Sequence, residues 1–481
     1  MPDDYRTQGP SNDAQRDPLD DLIAPILGRD IIPEPRNVPT LPETSKQSRR
    51  TPLDDLLTDD DLLGKARTPK LYSRVPSNPA EKNQPERGRG GSLVITGLFT
   101  LALGLLLGVV AGQLGRAKLG DPQTPTIALK STEQQREEVL AQYEFVRRLK
   151  GSVTRDEKLP GKPVTHVSLY ETQVTDAGLR GLAGFKNLIG LDLGDTKVTD
   201  GGLKELAGLK NLTELSLSFT QVTDAGLKEL AALKNLTSLS LRNTQVTDAG
   251  LKELAGLKNL NTLHLYGTQV TDAGLKELAG LKNLDGLSLG KTQVTDGGLM
   301  ELAGFKNLIG LDLSETKVTD SGLKELAGLK YLAILDLSFT QVTDAGLKEL
   351  ARLKNLTKLN LSYTQVTDVG LKRLAGLKNL SSLSLINTQV TDEGLKELAA
   401  LKNLTVLILD STKVTDLGMK ELAGLKNLTK LWLSDTKVTD LGMQELAGLK
   451  NLTDLSLYNT RVTDAGLKEL KLELPKCGIF K

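Results

Sequence analysis

Leu188 to Asn211 reads LIGLDLGDTKVTDGGLKELAGLKN, and this stretch decides the fold. Its first half alternates, with Leu191 and Leu193 pointing one way and Asp192 the other, which is the period of a strand. Its second half spaces Leu203, Leu206 and Leu209 three apart, on one face of a short α- or 3₁₀-helix. The central Val-Thr-Asp recurs from Val174 to Val462, thirteen times at a spacing of 24 with no slip. Such a period implies a solenoid in which each unit touches only its neighbours. One unit buries too little apolar surface to offset the entropy of ordering its own backbone, so stacking must supply the rest.

The pattern L-x-x-L-x-L-x-x-T-x-V followed by a helical stretch resembles a leucine-rich repeat. The version T-x-V-T-D-x-G-L-K-E-L-A-G-L-K-N-L is similar to the arrays of bacterial, planctomycete-type membrane proteins. More distantly it resembles the repeats of F-box proteins, whose ladder cysteine is replaced here by Thr. The resemblance covers residues 164–470 and implies an α/β horseshoe of 13 units, strands lining the concave face and helices outside. It also implies protein recognition and no reaction. Gly151 to Leu169, GSVTRDEKLPGKPVTHVSL, resembles the lead-in of such arrays and reads as part of an amino-terminal cap over 131–169. A membrane span and a Pro-rich tail stand where an F-box would be, so a ubiquitin-ligase role is not implied.

Composition narrows the chemistry. Lys plus Arg number 61 against 60 Asp plus Glu, which gives no basic field for nucleic acid. His166, His264 and Cys477 are the whole complement of their residue types, too few for a disulfide framework, a multi-His/Cys metal site or much catalysis near neutral pH. No cofactor is expected.

The first 90 residues hold 13 of the 18 prolines and two aromatics, and read as a disordered tail. Its 14 basic and 16 acidic side chains do not form a polybasic lipid clamp. Pro-Leu-Asp-Asp-Leu occurs twice in it, at Pro18 and Pro52. This is either a compositional accident or a duplicated short motif that starts a helix and offers leucines to a groove.

Residues 91–115 carry no charge and include LVITGLFTLALGLLLGVVAG, long enough to cross a bilayer as a single helix. Gly104, Gly108 and Gly112 share one face of it, the small-xxx-small spacing that favours self-association, hence a homodimer. Arg74, Lys82, Arg87 and Arg89 precede the span and Arg116, Lys118 and Lys130 follow it, which orients the tail to the cytoplasm and the array outside. After a linker over 116–130, Ser131 to Lys150 has Val139, Tyr143, Val146 and Leu149 at helical spacing, with Gly151 as the stop. Residues 471–481 read as a carboxyl-terminal cap.

Three recurring features read as scaffold. Thirteen Thr residues, Thr172 to Thr460, are expected to satisfy the backbone of each buried turn. The Asp of each Val-Thr-Asp, such as Asp200, is expected to be a helix N-cap; the row of carboxylates lacks the nine-residue calcium solenoid motif, so no metal is expected. Asn-Leu-Thr occurs six times, at Asn211, Asn235, Asn355, Asn403, Asn427 and Asn451, and would accept glycans only in a eukaryotic secretory route.

With the framework fixed, function is expected at the variable inner-face positions: third, fifth, seventh and eighth of each unit. Of ten aromatics between Val164 and Leu470, Phe185, Phe305 and Tyr331 replace residues of the recurring Leu-Lys-Asn. The other seven, Tyr170, Phe219, Tyr266, Phe339, Tyr363, Trp432 and Tyr458, fall at inner-face positions, where chance would place fewer than two. Later units are the greasier. The expected partner-binding patch is Phe339, Tyr363, Ile386, Ile408, Trp432 and Tyr458 with Lys358 and Lys430 as polar neighbours, and Phe339/Tyr363 and Ile408/Trp432 side by side. His264 and Tyr266 form a second patch. Ser240, Ser288 and Asp312 lie near His264, but exposed strands offer neither pocket nor oxyanion hole, so no enzyme is expected. A membrane-anchored protein that recognises a protein or surface polymer is the expectation, with a signalling receptor or a structural adhesion component as rivals.

Overall fold

The computed structural model describes residues 132–159 and 161–481. The tail, the span with Gly104, Gly108 and Gly112, and the linker lie outside the described residues. Among those described, no helix is long and apolar enough to cross a membrane.

Helix α1 (Thr132–Arg148) is followed by a hairpin of β1 (Ser152–Arg155) and β2 (Val164–Ser168), paired antiparallel with a shift of register at Thr154/Arg155. Val146 is buried at the end of α1, Val139 and Leu149 pack on the core, and Phe145 meets Phe185 of the first unit edge-on at 6.2 Å. The apolar stripe therefore covers the open end of the array. The left-handed residue that ends the helix is Lys150, at φ 63, one place earlier than expected. Gly151 is required for closeness instead: a Cβ there would lie 2.5 Å from Leu169 Cδ2 and from Ser168 O.

From β2 onward every strand pair is parallel, in one unclosed sheet of fifteen strands among the described residues, in chain order. Register is slot to slot, Leu191 against Leu215 and Leu215 against Leu239, so identical residues of successive units stack. In the unit quoted above, Leu188, Leu191, Leu193, Val198, Leu203, Leu206 and Leu209 are all 1% exposed or less. Each contributes about 1.5 to 3 kcal/mol by leaving water. The last strand, Gly478–Phe480, pairs with Asp454–Ser456 after the ten-residue helix Asp464–Glu473. The fold is a solenoid of repeated strand–helix units.

The Thr ladder works within each unit: Thr196 Oγ1 donates to Leu193 O at 2.6 Å, and the same bond recurs from Thr172 to Thr460. The Asp expectation needs correcting. The N-cap is the Thr before it, as where Thr223 Oγ1 accepts from Ala225 N, and Asp224 is already the first helical residue. Each Asp reaches forward: Asp200 Oδ1 accepts from Thr223 N at 2.8 Å and its Oδ2 from Thr223 Oγ1 at 2.6 Å. This pairing recurs at every junction from Asp176–Thr199 to Asp440–Thr463. Both oxygens of each of these carboxylates thus accept a donor from the following unit, and Asp416 Oδ1 takes a further one from Gly442 N at 3.1 Å.

The six Asn of Asn-Leu-Thr form another ladder, each amide donating to a Lys carbonyl of the preceding unit, as from Asn211 to Lys186 O at 2.8 Å. Those amide nitrogens are thus engaged in the framework, each through one of its two N–H bonds.

Candidate functional site

The strand face is built from positions three and five of each unit, in the strands, and seven and eight, in the turn that follows. Position eight is left-handed in every complete unit, from Glu171 at φ 56 to Asn459 at φ 54. That conformation suits Gly, Asn and Asp, and Gly267, Asn243, Asn387, Asp195 and Asp435 take it. Phe219, Phe339 and Tyr363 take it too, at φ 58, 56 and 57, where a bulky side chain is disfavoured by about 1 to 2 kcal/mol.

Phe339 and Tyr363 stack across adjacent units with ring centroids 4.1 Å apart and planes 10° from parallel. They are 51% and 41% exposed, so the pair presents a rigid apolar edge to solvent. Such a stack is worth about 0.5 to 1.5 kcal/mol, which offsets only part of the roughly 2 to 4 kcal/mol that two left-handed aromatic residues cost.

The rest of the expected patch is distributed differently. Ile408 pairs in register with Trp432, but Ile408 is 0% exposed and presents no surface. In the sheet Ile408 is flanked at about 4.8 Å by Ser384 on one side and Trp432 on the other. Ile386, Trp432, Lys358 and Lys430 are half-buried, and Tyr458 is 49% exposed. Burial pushes the Lys358 ammonium below its usual value. The exposed apolar surface is thus narrower than expected, centred on Phe339 and Tyr363.

Along the fifth position a buried polar row runs His264, Ser288, Asp312, Asp336, Asn360. Ser288 Oγ donates to Asp312 Oδ2 at 2.7 Å, Asp312 Oδ1 accepts from Ser314 N and Oγ, and Asn360 Nδ2 donates to Asp336 Oδ2 at 3.0 Å. Burial, then the neighbouring Asp312, pushes the Asp336 carboxyl up to about 7. His264 is 1% exposed and neither ring nitrogen has a hydrogen-bond partner. Burial, then the Arg242 charge, lowers it to about 3. The Ser–His–Asp relay is therefore not assembled, because Ser288 donates to Asp312 and His264 hydrogen-bonds to neither. Among the described residues no three His, Cys, Asp or Glu side chains converge on a metal position.

Tyr266, beside His264, is half-buried. Its hydroxyl donates to Glu315 Oε1 at 2.5 Å, and Arg242 Cζ stands 5.0 Å over its ring. Burial, then Glu315, pushes its phenol above the usual range. These three residues hold one another and leave little of the second patch for a partner.

Two surface features escaped the sequence reading. Leu417 and Leu441 occupy one slot of adjacent helices, 76% and 67% exposed, where most units have Ala or Gly. Tyr331, 63% exposed, replaces a ladder Asn. Tyr331 is a single departure from an otherwise constant Asn, whereas the Leu417 and Leu441 slot also varies to Ser321, Val369 and Glu393.

The described leucine-rich-repeat family profiles match residues 402–462 as Leucine rich repeat, 210–256 and 234–278 as Leucine Rich repeats (2 copies), and 306–327, 328–351 and 352–375 as Leucine Rich repeat. No curated protein matches the chain. Among solved structures, an internalin from Listeria monocytogenes is 24% identical, with 74% of this chain and 98% of that one covered and a TM-score of 0.53. A leucine-rich-repeat protein from Leptospira interrogans is 27% identical, with 64% and 95% covered and a TM-score of 0.46. Internalin C2 of Listeria monocytogenes is 33% identical over 46% of this chain and 92% of its own, with a TM-score of 0.36. The 24-residue register, the parallel unclosed sheet and the profiles matched over 210–278, 306–375 and 402–462 together show that the array is a leucine-rich-repeat solenoid.

Proposed function

We propose that this is a membrane-anchored recognition protein that binds a protein partner through the strand face of its later units. The observation that supports this is the Phe339–Tyr363 stack, two exposed rings on backbone that disfavours them, in a framework that accepts Asn or Gly at the same slot. Rigid, exposed aromatics are typical interface anchors. The half-buried Trp432 and the exposed Tyr458 extend the surface toward the carboxyl end, with Lys358 and Lys430 as its polar neighbours.

In this reading residues 91–115 form the span, Gly104, Gly108 and Gly112 its self-association face, and the array lies outside the cytoplasm. Cross-linking capture with the full chain and with the Phe339→Asn/Tyr363→Asn double variant tests the binding face. A protein captured by the wild type and lost from an equally stable variant supports the reading, and an unchanged capture profile rejects it. Protease treatment of intact cells tests orientation, since digestion of the array is expected and complete protection would reverse it.

A further inference from the structure

Two framework ladders are interrupted together along one edge of the solenoid. The first is the Asn ladder: Asn283 donates to Lys258 O, Asn307 to Lys282 O and Asn355 to Lys330 O. Tyr331 stands in this series and cannot supply the amide. The second is a row of hydroxyls at position two of two runs of units, 213–237 and 357–453, donating to the carbonyl of the unit before, as from Thr237 to Thr213 O at 3.1 Å and, further on, from Thr405 to Ser381 O and Thr429 to Thr405 O. Between these runs the same position holds Asn261, Asp285, Ile309 and Ala333. Each rung given up forgoes about 0.5 to 1.5 kcal/mol, and local departures from a consistent framework concentrate at functional sites.

The interruptions converge. Asn261, Asn283, Asp285, Asn307, Ile309 and Tyr331 line an open cavity of about 590 Å³. Tyr331 and Ile309 are 63% and 37% exposed, giving the groove a flat aromatic plate and an apolar neighbour. The Asn261 amide offers both donors and an acceptor, and Asn283 and Asn307, whose nitrogens serve the ladder, keep carbonyl oxygens to accept. Asp285 adds a carboxylate raised by partial burial, and no cation lines the groove.

Phosphate or another anion has no counter-charge there. A sugar ring fits the chemistry: its C–H face packs on an aromatic plate, and its adjacent hydroxyls each need a donor and an acceptor close by. We propose that this edge groove is a binding site for a neutral saccharide, with Tyr331 under one ring and Asn261, Asp285 and Asn307 on its hydroxyls.

The test uses the full chain in a detergent without a sugar headgroup, titrated calorimetrically with malto-, cello- and chitohexaose. At least one hexaose is expected to bind the wild type and to bind Tyr331→Asn about tenfold or more weakly. That variant restores the residue of neighbouring units, so its loss of binding does not come from misfolding, and an unchanged melting temperature checks this. Absence of binding by all three at millimolar concentration, or equal binding by Tyr331→Asn, overturns the proposal. The Phe339→Asn/Tyr363→Asn variant is expected to bind the sugar unchanged, which separates this site from the strand face.

Discussion

Asp296 closes on Thr319 of the next unit from two sides, its Oδ1 taking the backbone N–H at 2.8 Å and its Oδ2 the hydroxyl at 2.6 Å. Thr319 Oγ1 in turn accepts from Ser321 N at 3.2 Å, capping its own helix. Each helix start is therefore held by the carboxylate of the unit before it. Hydrogen bonds to a charged group contribute about 1.5 to 3 kcal/mol each, and these exist only between units, so order passes along the array as a nearest-neighbour term.

Gly322→Ala should test how tightly this junction is built. A Cβ at Gly322 would lie 2.5 Å from Asp296 Oδ1 and 2.8 Å from Leu299 Cδ1. Alanine favours a helix by about 0.5 to 1 kcal/mol over glycine, but overpacking costs about 1 to 3 kcal/mol and also displaces the carboxylate from Thr319. A net loss of about 1 to 3 kcal/mol in urea unfolding is expected. Gly184→Ala, where an added Cβ meets nothing within 4 Å, should be neutral or slightly stabilising. Equal losses in both would reject the close-packing account.

Phe339→Asn is expected to leave stability within about 1 kcal/mol of the wild type, because the stacking lost and the left-handed backbone relieved are of similar size. By contrast Leu335→Ala, at a position 1% exposed four residues earlier, should cost about 2 to 5 kcal/mol. Denaturant midpoints of the two variants decide this. A large loss at Phe339 would mean that the ring serves the core, and the case for a partner there would fall.

Much of this was legible in the repeat. Thirteenfold spacing fixes which residues stack, so the Phe339–Tyr363 contact and the Ile408–Trp432 pairing follow from arithmetic. Periodicity does not give depth: Ile408 and Trp432 share a slot, yet one is buried and the other half-exposed. It also does not say which of two adjacent capping residues points inward, and Thr takes the cap because its hydroxyl can accept from its own helix while donating to the preceding Asp. Tyr331 was set aside as a variant of Leu-Lys-Asn, because the Asn ladder that it interrupts is visible only once hydrogen bonds are.

Stability should depend on pH through His264 and Asp336, with opposite signs. His264 falls from about 6.5 in the unfolded chain to about 3 in the folded one, so the folded state binds fewer protons between those values and loses stability as pH falls. At pH 5 this amounts to about 2 kcal/mol, at 1.36 kcal/mol per unit below 6.5. Asp336 rises to about 7, so there the folded state binds more protons and loses stability as pH rises from about 4 to 7. His264→Ser, which matches Ser240 and Ser288 on either side, should lose less stability than the wild type between pH 7.5 and pH 5. Asp312→Asn removes the charge beside Asp336 and should flatten the opposing decline, since the Ser288 hydroxyl can turn from donor to acceptor. Urea midpoints measured across this range check both. Parallel pH curves for His264→Ser and the wild type would mean that the ring is not buried neutral as the strand face holds it.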